Sequence, residues 1–392
     1  MPNTLLTTDQ ITNECLRLAH EKTSFIGTIN REFDKSFGVE NGKIGDTLRI
    51  RKPAQYVRTK GTRVAEVQDA KEQNTTLVVA TQDHVALKFT SRERALDLTN
   101  FSKQHLEPAM ATLISGIDSD VLQGCTKLVY NTAGTAGTPP TDLVAFGAAR
   151  AKMNQDLAPK DGKRYIQYDS VNMGTVVNGL KGLFQDSAQI KEQYREGMLG
   201  RTAMADWYEN ERVYVHTTGS DHTTVTVNDS THAEGMTTMT TAGGTVTVGT
   251  TFTVAAVNKV HPETKTSYGV AQQFVLTAVS GNDWTFSPAM FATGARQNVD
   301  ALPVTAAAIT LSGAASTAYT QNLMYHKDAF TFATAELPLM GGSDICVVKT
   351  FDGLSLRFWQ QSDIRNDEQI SRIDMLYGFS AIRPEWASRI TM

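Results

Sequence analysis

The period of apolar positions changes several times along the chain, and each change predicts a different element. Over residues 7–20, Ile11, Cys15, Leu16, Leu18 and Ala19 fall on one side of a short helix, with Thr7 and Gln10 placed as a capping box. The next stretch, to about Gly45, is mixed and Gly-punctuated, as an extended arm would be. Residues 46–51 alternate as a strand, and Pro53 ends it. Residues 55–74 have no period. Arg58, Lys60 and Arg63 come first, then Glu66, Asp69 and Glu72. Apolar runs at 77–80 and 85–89 follow, so 46–90 reads as a long two-stranded excursion with a polar tip. Such a hairpin cannot bury a core alone and must lie on a domain or a neighbouring subunit.

The clearest helix comes next. Leu106, Ala109, Met110, Leu113, Ile114, Ile117, Val121, Leu122, Cys125 and Leu128 recur at spacings of three and four, which predicts a helix over 102–130. Pro108 fits its first turn. The roughly 24 residues after Glu107 would span about 36 Å, the length of a spine. Beyond it the pattern predicts a loop at 131–140, a helix at 146–157, a turn at 159–162 and a strand at 165–168. Helices follow at 176–184 and 188–195, then a Gly-containing loop at 197–211 that holds Trp207 and Tyr208.

At Val213 the pattern changes sharply. Residues 213–320 hold 24 Thr, only three Lys/Arg and six Asp/Glu in 108 positions, about 8% charged against 20% for the whole chain. Short β-branched runs at 224–227, 245–248, 251–254, 273–276, 284–286 and 308–311 are separated by Gly, Asn, Asp and Pro, which predicts an all-β barrel or sandwich of one domain's size. After Tyr319 the earlier style returns, with strands at 355–359 and 372–377 and a hairpin signal at Asp352-Gly353. The β block is therefore an insertion in an α+β body.

Net charge is −4 over 392 residues, which excludes a strongly basic nucleic-acid coat. Residues 1–65 hold eleven Lys/Arg and seven Asp/Glu, net +4, leaving −8 for the rest. That bias suits an arm facing an acidic partner such as DNA, or ordinary surface scatter. Cys15, Cys125 and Cys346 are odd in number and widely spaced, so neither a disulfide framework nor a zinc cluster is expected, and a reducing compartment is. No run approaches 18 apolar residues, and the first ten residues do not read as a secretory signal, so no membrane partner is expected. The nucleotide-loop, dinucleotide, zinc-protease and nucleophile-elbow motifs are all missing. His216, His222 and His232 match no ligand spacing, and Asp363, Asp367 and Glu368 match no calcium loop. Trp207, Trp284, Trp359 and Trp386 are expected to anchor cores. No catalytic residue, metal or cofactor is assigned.

Several stretches taken together resemble a known family. They are residues 195–201, 206–210 (Asp206-Trp207-Tyr208-Glu209-Asn210) and 216–219, then Met324-Tyr325-His326-Lys327-Asp328-Ala329-Phe330, and finally 372–378 with Arg383-Pro384-Glu385-Trp386. Residues 260–265 leading into Gln273-Phe274-Val275 look like the insertion of the same group. In order they resemble the major capsid (coat) protein of tailed double-stranded DNA phages with the Hong Kong 97-like fold, specifically the short-tailed phage group with an inserted β-barrel.

The resemblance implies an α+β fold with an N-terminal arm at 1–45, an extended-loop hairpin at 46–90 and a peripheral domain at 91–159 built on the spine helix. An axial domain would comprise 160–212 and 321–342, the inserted barrel 213–320, and 343–392 a returning β segment of the peripheral domain. Arg58, Lys60, Arg63, Glu66, Asp69 and Glu72 become intersubunit contact candidates. His261, Glu263 and Lys265 become insertion-domain contact candidates. Arg17, Lys22, Arg31 and Lys35 become DNA-facing candidates. The implied function is self-assembly, as hexamers and pentamers, into an icosahedral virion shell around double-stranded DNA, in the host cytoplasm. Implied partners are a scaffolding protein, a portal, non-specific DNA and a decoration protein. Two rivals stand beside it: an encapsulin-type nanocompartment shell and a Thr-rich β surface-binding protein.

Overall fold

The structure is a computed structural model that describes residues 8–31, 47–61, 67, 72–90, 107–180, 201–222, 224–351, 353–366 and 368–392. The chain is mixed α+β and divides into two compact units.

The first unit comprises Met1–Ile50, Thr75–Val121 and Phe330–Ser380. Its centre is a five-stranded sheet in which Phe330–Ala335, Glu368–Ala381, Leu354–Asp363 and Ile345–Phe351 are neighbours in that order. Phe351 faces Leu354 across the tight turn that Asp352-Gly353 announces, with Gly353 at φ +77°. The helix Thr8–Lys22 packs on the strands Ile345–Phe351 and Leu354–Asp363. The spine helix is Glu107–Lys127, with Pro108 in its first turn as expected; its first five predicted residues lie outside the described ones. Asp118, fully buried on this helix, accepts hydrogen bonds from the Phe25 and Ile26 amides at 3.1 and 2.9 Å and from Ser24 Oγ at 2.7 Å. One carboxylate thereby satisfies the turn that follows the first helix.

The second unit comprises Arg51–Asn74, Leu122–Ala329 and Ala381–Met392. Its sheet is ordered Thr132–Ala133, Ala387–Thr391, Ala318–His326, Arg164–Tyr168, Ala205–Glu209 and Arg201–Thr202. Tyr214–Thr217 also pairs with Ala318–His326. The helix Val144–Gln155 covers this sheet through Phe146, Ala149 and Met153, and Phe146 lies 4.7 Å from Trp207 between ring centroids.

The Thr-rich block forms a closed six-stranded barrel. Its strands are Val225–Val227, Met236–Ala242, Thr251–Val260, Ser267–Ser280, Asp283–Met290 and Ala308–Leu311. Alternation points Phe252 and Val254, Phe274 and Leu276, and Trp284 and Phe286 inward. The four aromatic rings meet at 5.5–6.0 Å, three of the contacts edge-on. The chain leaves for the barrel at Thr217 and returns at Ala318, and these two residues are paired partners. Backbone crosses backbone closely at that doorway: a Cβ on Gly219 would lie 1.8 Å from Thr245 O and 2.6 Å from Val246 Cα. Gly219→Ala is therefore expected to cost about 3 kcal/mol, because only a backbone shift makes room. Denaturant unfolding of the full chain measures it, and a change below about 0.5 kcal/mol would contradict the close crossing.

Five expectations need correction. Residues 85–89 do not pair back within a simple hairpin; Thr81–Thr90 instead pairs with Glu368–Ala381, almost 300 residues away, while Thr47–Lys52 pairs with Gln73–Val78. Residues 197–211 are not all loop, because Ala203 and Met204 adopt positive φ and turn Arg201–Thr202 onto Ala205–Glu209. Residues 245–248 form only an isolated bridge at Thr245 before a turn. The spine helix stops at Lys127, short of Tyr130. The loop expected at 131–140 contains the strand Thr132–Ala133, which pairs in parallel with Ala387–Thr391.

Candidate assembly site

The charged excursion places Arg58, Lys60 and Glu72 in solvent. Glu72 lies 3.6 Å from Arg51, but both side chains are mostly exposed, so the pair contributes little. Arg63, Glu66, Asp69 and Lys35 lie outside the described residues. So does the side chain of Lys22, the last residue of its helix. Arg17 is gripped in bidentate fashion by Glu14 one turn back, at 2.7 and 2.9 Å. Arg31 is half-buried beside Gly353. Of the four DNA-facing candidates, only Arg17 and Arg31 have described side chains.

The insertion-domain candidates occupy one turn between the barrel strands Thr251–Val260 and Ser267–Ser280. His261 Nδ1 accepts the Glu263 and Thr264 amides, both at 3.1 Å. Lys265, at φ +58°, donates Nζ to the Ala295 and Gln297 carbonyls at 2.7 and 3.3 Å. Two of the three residues therefore stiffen the turn, and Glu263 is left exposed.

The polar chemistry that sequence reasoning missed lies where the barrel meets the sheet of its own unit. Lys259, on a barrel strand, pairs with Asp156 at 2.7 Å; Asp156 follows the helix Val144–Gln155, and both side chains are only 9% exposed. Asn131 Nδ2 donates to the same carboxylate at 3.0 Å. Lys152, one turn earlier, donates to the Thr132 carbonyl and to Gln273 Oε1. Gln273 in turn takes the Thr132 amide at 2.8 Å and returns its own Nε2 to the Thr132 carbonyl at 3.1 Å. Burial holds the Asp156 carboxyl above its usual range against the opposing pull of Lys259, Asn131 and Lys152. Burial, with Lys259 nearby, lowers the Lys152 ammonium to about 8. One buried carboxylate thus pairs with the Lys259 ammonium and favours the charge on the half-buried Lys152.

A second tie lies beside it. Arg389, 1% exposed, donates to the Gly249 carbonyl at 2.7 Å and to the Lys127 carbonyl at 2.9 Å. It therefore caps the C-terminus of the spine helix and holds the turn that leads into the barrel strand Thr251–Val260. Close by, His216 bridges Tyr214 and Thr250. Thr250 Oγ1 donates to the Thr247 carbonyl, so it accepts from His216 Nε2–H at 3.0 Å, and Nδ1 accepts the Tyr214 hydroxyl at 2.9 Å. Both ring nitrogens are used, and the neutral tautomer follows from the network. Among the described residues no group of three or more metal-ligating side chains occurs.

Burial lowers His216 to about 4, helped by Arg389 and then by His222 and Lys127 nearby. An unfolded ring titrates near 6.5, so the unfolded chain takes the proton first. This contribution is complete above about pH 6.5, is lost as pH falls from 6.5 to 4, and reaches about 3 kcal/mol in total. Denaturant midpoints across that window, for the native chain and His216→Gln, measure it. A flatter profile in the variant is expected, and an unchanged slope would contradict the assignment.

The tryptophans divide two and two. Trp207 and Trp284 are core residues, whereas Trp359 and Trp386 are half-buried and each carries an arginine over its ring, Arg357 and Arg383. Asp363 is occupied within its turn by the Arg365 amide and by Asn366, and Glu368 pairs with Lys88. Cys15 and Cys125 are buried, and burial pushes the Cys15 thiol up to about 12, which leaves it unreactive. No described helix is long and apolar enough to cross a membrane.

A family model described as P22 coat protein, gene protein 5, matches residues 41–389. No curated protein sequence matches the chain. Among solved structures, the chain is similar to one from Mycobacterium phage Che8, at 12% identity and a TM-score of 0.48, over 94% of this chain and 90% of that one. It is similar to the CUS-3 coat protein I-domain at 32% identity and a TM-score of 0.20, over 22% of this chain and 94% of that one. It is also similar to a virus-like particle from Pyrococcus furiosus at 6% identity and a TM-score of 0.42, over 98% of each chain.

Proposed function

From the premise that the chain belongs to the P22 coat protein family, we propose a Hong Kong 97-like arrangement of the shell it builds. As a member of that family it is a major capsid protein, the coat subunit of a tailed-phage virion. The finer reading concerns how copies meet. Residues 53–76 would be the extended loop that lies over a neighbour, with the exposed side chains of Arg58, Lys60 and Glu72 choosing that neighbour's register. The closed barrel would stand out from the body and meet other capsomers through the stiffened turn at His261, Glu263 and Lys265. Hexamers and pentamers would assemble in the host cytoplasm with a scaffolding protein and a portal. A decoration protein would add to the finished shell, and packaged DNA would be touched non-specifically by the basic early residues.

The observation that carries this reading is the barrel. It is inserted between two paired strands and tied to its own unit by the buried Asp156–Lys259 pair and Arg389. A domain held so firmly presents a fixed surface, which symmetric assembly requires. The double change Arg58→Glu with Lys60→Glu tests the extended-loop role. Shell yield is expected to collapse while the midpoint of the unassembled chain moves by less than about 0.5 kcal/mol, as for other exposed positions. Normal shells from that variant would overturn it.

A further inference from the structure

Within the second unit a crevice of about 410 Å³ opens beside the barrel, and its charges do not balance. Its lining includes four cations, Lys52, Lys259, Arg296 and Arg383, and two carboxylates, Asp156 and Glu385. Asp156 is consumed by Lys259. That leaves Lys52, Arg296 and Arg383 around Glu385, a surplus of two positive charges. None of these three cations makes an ion pair with the other described residues. Arg296 lies flat over Phe291 and Arg383 over Trp386, each 4.2 Å from the ring centroid. Stacking holds a guanidinium by its face and leaves its edge N–H donors available. Burial lowers the half-buried Lys52 ammonium, with the Glu385 carboxylate opposing and then Arg383 and Arg296 adding to it, so the other three groups all act on Lys52. Two flat guanidinium forks and an ammonium converging on one space match an oxyanion with charge spread over several oxygens.

We propose that this crevice is a binding site for a small multivalent oxyanion of the phosphate class, held by Lys52, Arg296 and Arg383. Its volume suits a free anion or the acidic side chains of a second copy, and it is far too small for a duplex. Glu385 competes with the ligand for the same cations. Removing its charge should therefore tighten binding, an effect that a purely structural role would not produce.

The test is calorimetric titration of the unassembled full-length chain with inorganic phosphate and with pyrophosphate, against sodium chloride at matched ionic strength. Saturable binding is expected, stronger for pyrophosphate. Arg296→Gln and Arg383→Gln should each weaken it about tenfold. Glu385→Gln should strengthen it several-fold, and it keeps the test open should an arginine variant fold poorly. Binding that follows ionic strength alone, or that is the same in all three variants, would overturn the proposal. The same titration on assembled shells is expected to retain phosphate binding, and its loss there would overturn a site for a free anion in the shell.

Discussion

Asp156→Ala is expected to destabilise the full-length chain by about 3–5 kcal/mol, the cost of leaving a buried cation without its partner. Lys259 would lose its ion-pair partner at 2.7 Å, and Lys152 would lose the carboxylate that supports its charge. Asn131 Nδ2 would keep only the Glu385 and Ala387 carbonyls, each at 3.3 Å. The double change Asp156→Leu with Lys259→Met separates lost attraction from stranded charge. A buried ion pair is costly to break but cheap to replace by apolar groups of similar size. The double variant should therefore recover most of the loss, to within about 1 kcal/mol of the native chain. Urea unfolding of the three proteins measures this. Equal losses in the single and double variants would show that the pair is not what holds barrel to sheet.

Phe252→Ala should cost a comparable amount, about 3–5 kcal/mol, by a different route. Its ring touches Phe274, Trp284 and Phe286 at 5.5, 5.8 and 6.0 Å, so it stands at the centre of the barrel. The strands around it form a closed ring and cannot collapse readily into the gap. Thermal unfolding read at the near-ultraviolet tryptophan band reports it directly, because Trp284 is fully buried in the same cluster. A loss below about 1 kcal/mol would mean that the barrel repacks, and that its interior is looser than the ring contacts imply.

The barrel was legible because its core follows the simplest code. Phe252 and Val254, and Trp284 and Phe286, are each separated by a threonine, and Phe274 and Leu276 by Val275, in short runs between turn residues. The strand Met236–Ala242 escaped because four of its seven residues are threonine and only Met239 and Thr241 are buried. The spine helix was legible from its three-and-four spacing, and Pro108 located its start. Long-range pairing was not. Nothing local in Thr81–Thr90 names Glu368–Ala381 as its partner, since alternation specifies a face and not a neighbour. The polar ties were hidden for the same reason: Asp156 and Lys259 are 103 residues apart, and each looks like an ordinary surface charge until the fold buries both. His216 did carry a signal, as one of three histidines in a short stretch, but its surroundings made it a hydrogen-bond bridge between Tyr214 and Thr250. The order of short motifs pointed to a coat protein ahead of an encapsulin shell or a surface-binding protein, and the family match over residues 41–389 agrees.

The central claim is that this chain builds a closed shell from copies of itself. Negative-stain electron microscopy after gel filtration, on the full-length chain alone and with any co-encoded scaffolding candidate added, tests it most directly. Closed shells or capsomer-like rings, with an extra lobe of density at the position of the barrel, are the predicted result. A chain that stays monomeric under both conditions would contradict it.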